Sequence, residues 1–330
     1  MAMIEVSHLH KTFSKIRKEP GLKGALKSFV HPQKTNFEAV KDLTFEIPKG
    51  QIMGFIGANG AGKSTTIKML TGILKPTSGY CRINGKIPQD NRQDYVKDIG
   101  VVFGQRTQLW WDLALQETYT VLKEIYDVPD QVFHKRMAFL NDVLDLNDFI
   151  KDPVRTLSLG QRMRADIAAS LLHNPKVLFL DEPTIGLDVS VKDNIRRAIT
   201  QINQEEATTI LLTTHDLSDI EQLCDRLIMI DKGKEIFDGT VRQLKQTFGK
   251  QKSLTFELKP GQEQLVSSFA GLPDITVIRQ DLVLDIKYDS SRYQTAEIIQ
   301  KTLADFAVRD LKMADVNIED IVRRFYRKEL

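Results

Sequence analysis

Gly57-Ala58-Asn59-Gly60-Ala61-Gly62-Lys63-Ser64 decides the fold, because the residues on either side of it give the string a structural context. Met53-Gly-Phe-Ile before it is almost continuously apolar, the pattern of a strand buried on both faces. Ile67, Leu70, Ile73 and Leu74 after it recur at helical spacing. A strand, a glycine-rich turn and a helix in that order curl the backbone so that successive N–H groups face inward. The positive end of the helix dipole lies behind them, and a polyphosphate fits such a cradle. Lys63 supplies a point charge to the β- and γ-phosphates, and the Ser64 hydroxyl is the expected ligand of Mg²⁺.

Working outward, three more short runs share the buried-strand pattern: Ile99-Gly-Val-Val-Phe103, Val177-Leu-Phe-Leu180 and Thr209-Ile-Leu-Leu-Thr213. Each alternates with a longer helical pattern, as in α/β units around a mostly parallel sheet. Polar chemistry follows each run: Gln105, Asp181 with Glu182, and His215. Ligands of open α/β sheets bind at the carboxyl edge of the strands, so these distant segments are expected to meet at one site. After Thr240 the pattern changes to a helical Val241-Arg-Gln-Leu-Lys and an alternating Lys252-Ser-Leu-Thr-Phe-Glu-Leu258. A strand at 282–286 and helices at 295–306 and 318–326 complete the reading. The expectation is therefore two domains, 1–247 and 248–330, the second a small α+β appendage without a glycine-rich or catalytic cluster.

Composition narrows the class. Lys and Arg number 46 against 44 for Asp and Glu, a formal charge of +2, which offers no global field for nucleic acid. The two cysteines, Cys81 and Cys224, lack metal-ligand spacing and read as small buried apolar residues. No stretch reaches the roughly 18 to 20 apolar residues that cross a bilayer. A membrane role would place this chain on the surface, with the channel formed by other subunits. His8 and His10 would share one strand face and could bind a metal, although two ligands make a weak site.

Val177-Leu-Phe-Leu-Asp181-Glu182-Pro183 resembles the second nucleotide motif of phosphate-loop ATPases, and Leu157-Ser158-Leu159-Gly160-Gln161 resembles the LSGGQ signature of the ABC (ATP-binding cassette) family. It departs from that pattern at Leu159, where glycine is usual. Along roughly its first 240 positions the chain is similar to that family, and the resemblance implies a phosphate-loop cassette with a mixed, mostly parallel sheet and a helical signature subdomain. It also implies an ATPase that uses Mg²⁺. ATP would be bound by Gly57, Ala58, Asn59, Gly60, Ala61, Gly62, Lys63, Ser64, Thr65 and Asp181. Ser64, Gln105 and Asp181 would hold the metal. Glu182 would act as general base, a role worth about 10² to 10⁴ in rate, with His215, Lys63 and Gln105 as its catalytic companions. Ser158, Gly160, Gln161 and Asp188 would reach the nucleotide of a second copy, making a homodimer, or a dimer with a like ATPase, around ATP.

The Ser-Leu-Gly-Gln signature, a basic insertion and the carboxyl-terminal domain resemble the ATPases of ABC-2-type exporters, relatives of daunorubicin and sodium extrusion systems. Their transmembrane permease subunits are separate chains, which implies a peripheral place on the cytoplasmic face of the cell membrane. An importer ATPase is the nearest rival. A soluble DNA-repair or translation ATPase lacks support, since neither a long coiled coil nor a tandem cassette is present; a small-molecule kinase would need neither the signature nor His215.

Three regions leave alternatives open. Phe13 sits where the family places an aromatic on adenine, with Phe37 as the alternative across an insertion at about 14–36. Within that insertion Leu22, Leu26, Phe29 and Val30 share a helical face surrounded by Lys23, Lys27 and other basic residues. Such a helix fits anionic lipid, a membrane subunit, or the domain's own surface. Trp110 and Trp111 follow Gln105 in the neighbourhood that receives the permease in the family, and one is expected inside and the other lining the cleft.

Overall fold

Residues 2–16, 34–104, 106–249, 251–261, 269, 272–314 and 318–327 are described by a computed structural model. The chain forms two compact units, Met1–Gly239 and Thr240–Leu330. The division falls one helix before the expected boundary at 247/248, so the helix read as the end of the first domain belongs to the second.

In the first unit β1 (Ala2–Ile16), β2 (Lys34–Pro48), β3 (Ile52–Gly57), α1 (Lys63–Leu70) and β4 (Ser78–Ile83) open the chain. There follow α2 (Arg92–Val96), β5 (Ile99–Phe103), α3 (Leu115–Ile125), α4 (Asp130–Leu144), α5 (Leu159–Leu171) and β6 (Val177–Asp181). α6 (Val189–Glu206), β7 (Thr209–Thr213), α7 (Leu217–Leu223), β8 (Arg226–Asp231) and β9 (Lys234–Thr240) close it. A sheet of order β5-β6-β7-β3-β8-β9 carries the four runs expected to be buried strands, and their pairings are parallel. A second, antiparallel sheet of order β2-β1-β4 shares a hydrophobic core with it: Ile4, Val6, Leu43 and Phe45 pack in one cluster with Phe55, Phe179, Leu211 and Ile228. Met69 and Leu70 of α1 enter the same cluster, which seats the helix behind the phosphate loop. α3, α4 and α5 form a helical group in which Tyr119 donates to the Ala165 carbonyl at 3.1 Å and Arg136 Nε to the Leu171 carbonyl at 2.7 Å.

β1 and β2 extend further than the sequence pattern suggests, pairing out to Ile16 and Lys34, so β2 begins before Ala39. Residues 14–16 and 34–36, the described ends of the insertion, continue this hairpin, and the candidate amphipathic helix lies outside the described residues. His8 does not share a face with His10 in a regular strand. It adopts a left-handed φ of 46° beside a break in register, which interrupts the alternation. His8 pairs with Asp42 at 2.7 Å and His10 with Glu38 at 3.2 Å, and no group of three or more metal-ligating side chains occurs among the described residues. Cys81 and Cys224 are both buried, as read, and burial pushes the Cys81 thiol up to about 12.

The second unit comprises α8 (Val241–Phe248), β10 (Gln251–Leu258), β11 (Ile275–Gln280), β12 (Val283–Asp289), α9 (Thr295–Asp305), β13 (Val308–Ala314) and α10 (Ile318–Arg327). Its sheet, β11-β12-β10-β13, is antiparallel throughout. Leu254, Phe256 and Leu258 alternate on one face with Leu284, Ile286 and Tyr288 across from them, and Ile298 and Phe306 complete that core. Phe248 of α8 meets Phe325 of α10 edge-on at 4.4 Å between ring centroids, which is why α8 groups with this unit. No helix among the described residues is long and apolar enough to cross a membrane.

Candidate nucleotide site

The tight turn of the loop after β3 depends on Gly62. Its φ is +112°, and a Cβ there would lie 2.6 Å from the Ala39 carbonyl oxygen. Gly62 is also the N-cap of α1 and offers no side chain to the first turn, so that helix end presents bare N–H groups. Lys63, buried, donates from Nζ to the Gly57 carbonyl at 2.5 Å. Burial lowers its pKa, while Glu182 and then Asp181 pull the other way. The ammonium is therefore already within the field of both carboxylates.

Asp181 ends β6 at the register level of Phe103 on β5 and Thr213 on β7. Thr213 donates its hydroxyl to Asp181 Oδ1 at 2.5 Å, engaging one of the two carboxylate oxygens. The next residue leaves the strand: Glu182 has φ 59°, a left-handed value that a side chain rarely adopts and that turns the carboxylate out of the strand's alternation. Its N–H donates to the Thr213 carbonyl at 2.9 Å, and Glu182 Oε1 lies 2.8 Å from His215 Nε2. A cleft of about 580 Å³ brings Phe13, Ser64, Asp181 and Glu182 to one wall-to-wall space, together with Lys68 and Arg106. The last two escaped the sequence reading. Lys68 carries a signal, since it stands one helical turn beyond Ser64 and so shares its face; Arg106 carries none. Gln105 lies outside the described residues.

Phe13 and Phe37, treated as alternatives along the sequence, are direct cross-strand partners in the β1–β2 ladder. Phe13 lines the cleft, and the more exposed Phe37 is its neighbour on the same face. The donor set at the cleft fits Mg²⁺. Ser64 and Asp181 would offer it hard oxygen donors, the kind a small divalent ion takes together with phosphate and water oxygens.

The signature segment has its own local logic. Ser158 caps α5, its Oγ accepting from the Gln161 N–H at 3.2 Å, while Gln161 Oε1 accepts from the Ser158 N–H at 2.9 Å. Ser158 is exposed, and in this cap its hydroxyl oxygen serves as the acceptor. Gly160 is buried, and a Cβ there would meet Val191 Cγ1 of α6 at 2.7 Å, so its first constraint is helix packing within the chain. Asp188 caps α6, accepting from the Val191 N–H at 2.9 Å and from the Ser190 hydroxyl at 2.8 Å; the backbone N–H of Val191 and the Ser190 hydroxyl hold its pKa down. The tryptophans depart from expectation, because both are exposed, Trp110 by 39% and Trp111 by 48%. Leu109 takes the buried place, and Trp111 lies over the Arg162 guanidinium at 4.9 Å.

A parallel sheet ending in a glycine-lined cradle, an Asp-Glu pair and a histidine defines a phosphate-loop nucleotide-hydrolysing cassette. Residues 40–185 match the ABC transporter family. The chain is 31% identical to the ABC transporter ATP-binding protein NatA of Bacillus subtilis over 63% of this chain and 84% of that protein. It is 29% identical to the linearmycin resistance ATP-binding protein LnrL of the same organism, over 85% and 89%. Among solved structures it resembles cbiO1 of Clostridium perfringens, part of the ABC transporter complex cbiONQ, with TM-score 0.61, 26% identity, and 76% and 91% of the two chains covered. The chain belongs to the ATP-binding proteins of ABC transporters, and it is an ATPase of that family.

Proposed function

We propose that this ATPase energises separate membrane-spanning permease subunits of an ABC-2-type exporter from the cytoplasmic face of the membrane. The observation that carries the reading is the 2.8 Å approach of His215 to Glu182, which lines the cleft together with Ser64 and Asp181. Similarity to a linearmycin resistance protein supports export, and the exposed Trp110 and Trp111 offer an apolar surface to a permease.

Two copies close head to tail, the loop of residues 57–65 in each opposed by Ser158 of the other. The bare N–H groups of α1 hold the phosphates, and Phe13 stacks on adenine with Phe37 beside it. Ser64 and Asp181 hold Mg²⁺, which when bound neutralises charge shared by the β- and γ-phosphates. Glu182 accepts a proton from the attacking water. His215, at hydrogen-bond distance from Glu182, steadies that carboxylate, and Lys63 balances charge spreading over the γ-phosphate. Ser158 donates its free hydroxyl proton across the interface.

Glu182→Gln tests this. ATP binding is retained, turnover falls by about 10² to 10⁴, and the dimer accumulates closed in a sizing experiment with ATP and Mg²⁺. Undiminished turnover removes Glu182 as the base.

A further inference from the structure

One buried ion pair has no part in the nucleotide chemistry above. Arg196 of α6 is 6% exposed and Asp219 of α7 is 0% exposed. Arg196 Nε donates to Asp219 Oδ1 at 2.7 Å, and Nη2 reaches the same oxygen at 2.6 Å. The guanidinium is further fixed by Asp193 at 2.9 Å and by the Ser218 hydroxyl at 2.8 Å. With Oδ1 committed to the arginine, Oδ2 of Asp219 accepts two hydroxyls, from Thr184 at 2.5 Å and from Thr214 at 2.8 Å.

The positions of those threonines give the cluster its meaning. Thr184 lies two residues beyond Glu182, and Thr214 immediately precedes His215. A single carboxylate oxygen thus ties the loop that carries the base to the loop that carries the histidine. Stability alone is a weak reason for such a pair, since apolar replacement of buried ion pairs is often neutral or stabilising. Fixed geometry is a better one: misplacing a catalytic group by about 1 Å can cost about 10² in rate, and reacting groups hold position only when their supports are themselves locked.

We propose that Asp219, oriented by Arg196, is a positioning residue that sets the separation of Glu182 and His215 through the hydroxyls of Thr184 and Thr214. This rests on the roles given to Glu182 and His215 above. It extends them by locating what holds the pair together, in side chains that are themselves buried.

Asp219→Ala strands a buried guanidinium and risks the fold, so the test uses Thr184→Val, Thr214→Val, the double variant and Thr184→Ser, all in the full chain. ATP turnover, KM for ATP and melting temperature are measured, with Glu182→Gln and His215→Ala alongside. The expected result is a loss of about tenfold or more in kcat for each valine variant, with KM changed less than about threefold. The double variant resembles the worse single one, because both hydroxyls act through one oxygen. Serine at 184 restores kcat to within about threefold, as it returns the hydroxyl. The proposal is overturned if the valine variants keep kcat within about twofold while Glu182→Gln and His215→Ala lose about 10² or more. It is equally overturned if kcat losses add independently, or if serine fails to restore what valine removed. Should Glu182→Gln and His215→Ala both turn over normally, the underlying site assignment falls and this inference with it.

Discussion

The two units bury similar stripes of aliphatic and aromatic residues but arrange them on opposite kinds of sheet. In the first unit β5, β6, β7 and β3 run parallel, so each strand delivers its carboxyl end to the same edge. The phosphate loop, Asp181 with Glu182, and His215 meet there although more than a hundred residues separate the first from the others. In the second unit β10 to β13 run antiparallel, and neighbouring strands end alternately at opposite edges. Polar ends cannot accumulate on one side, and what remains is an alternating inner face built on Leu254, Phe256, Leu284 and Ile286. Strand direction, more than composition, separates a unit that can concentrate chemistry from one that supplies a folded body. Charge follows the same division, because every buried charged side chain among the described residues falls in the first unit.

The sharpest way to break this contrast is to block the edge of the parallel sheet. Gly62→Ala forces a Cβ to within 2.6 Å of the Ala39 carbonyl at a φ of +112°. The loop must reshape, and ATP affinity measured by nucleotide titration falls by about 10² or more, given a strain of about 1–3 kcal/mol plus lost phosphate contacts. Binding at the wild-type level would mean that the cradle is not where the phosphates lie.

A smaller effect belongs to the other unit. Phe256→Ala empties a fully buried site in the antiparallel core and costs that unit about 3–5 kcal/mol in a urea melt. KM for ATP is expected to stay within about twofold, since every described residue lining the cleft belongs to the first unit. A substantial change in KM would show that the second unit shapes the nucleotide site.

The smallest effect is electrostatic and confined to the first unit. Burial pushes Asp166 up to about 6 and His173 down to about 4. Folded Asp166 keeps a proton that the unfolded chain has released, so its contribution is full at low pH and is lost as pH rises towards 6. Folded His173 stays neutral where the unfolded chain has gained a proton, so its contribution is full above about 6.5 and is lost as pH falls towards 4. The two slopes oppose one another. Asp166→Asn keeps an oxygen for the Thr107 hydroxyl and the Gln108 N–H while removing one slope. Stability of the first unit should then rise by about 2 kcal/mol from pH 4.5 to 6.5, and a profile as flat as that of the unaltered protein would refute the assignment of opposed titrations.

The buried strands of the first unit were legible because Ile99–Phe103, Val177–Leu180 and Thr209–Thr213 are apolar on both faces, a pattern that only a covered sheet produces. β11 and β13 were not. β13 is an edge strand in which Leu311 and Met313, the cross-strand partners of Phe256 and Leu254, stay exposed among charged neighbours, so its apolar alternation is only two residues long. The capping box of α5 is written in Ser158 and Gln161, yet the burial of Gly160 against Val191 is not, since the contact joins helices far apart along the chain.

From the residue order alone came the phosphate cradle and the switch to alternating strands near Thr240, because each depends on local spacing and backbone chemistry, while the acidic pair and the nucleotide-hydrolysing class came from the resemblance of its motifs to a known family. Only the folded chain decided that Phe13 and Phe37 stand side by side, that both tryptophans face outward, and that Asp219 joins the loops of Glu182 and His215. Those relations are made by strand register and helix packing across long sequence separations, where no single stretch of sequence carries the signal.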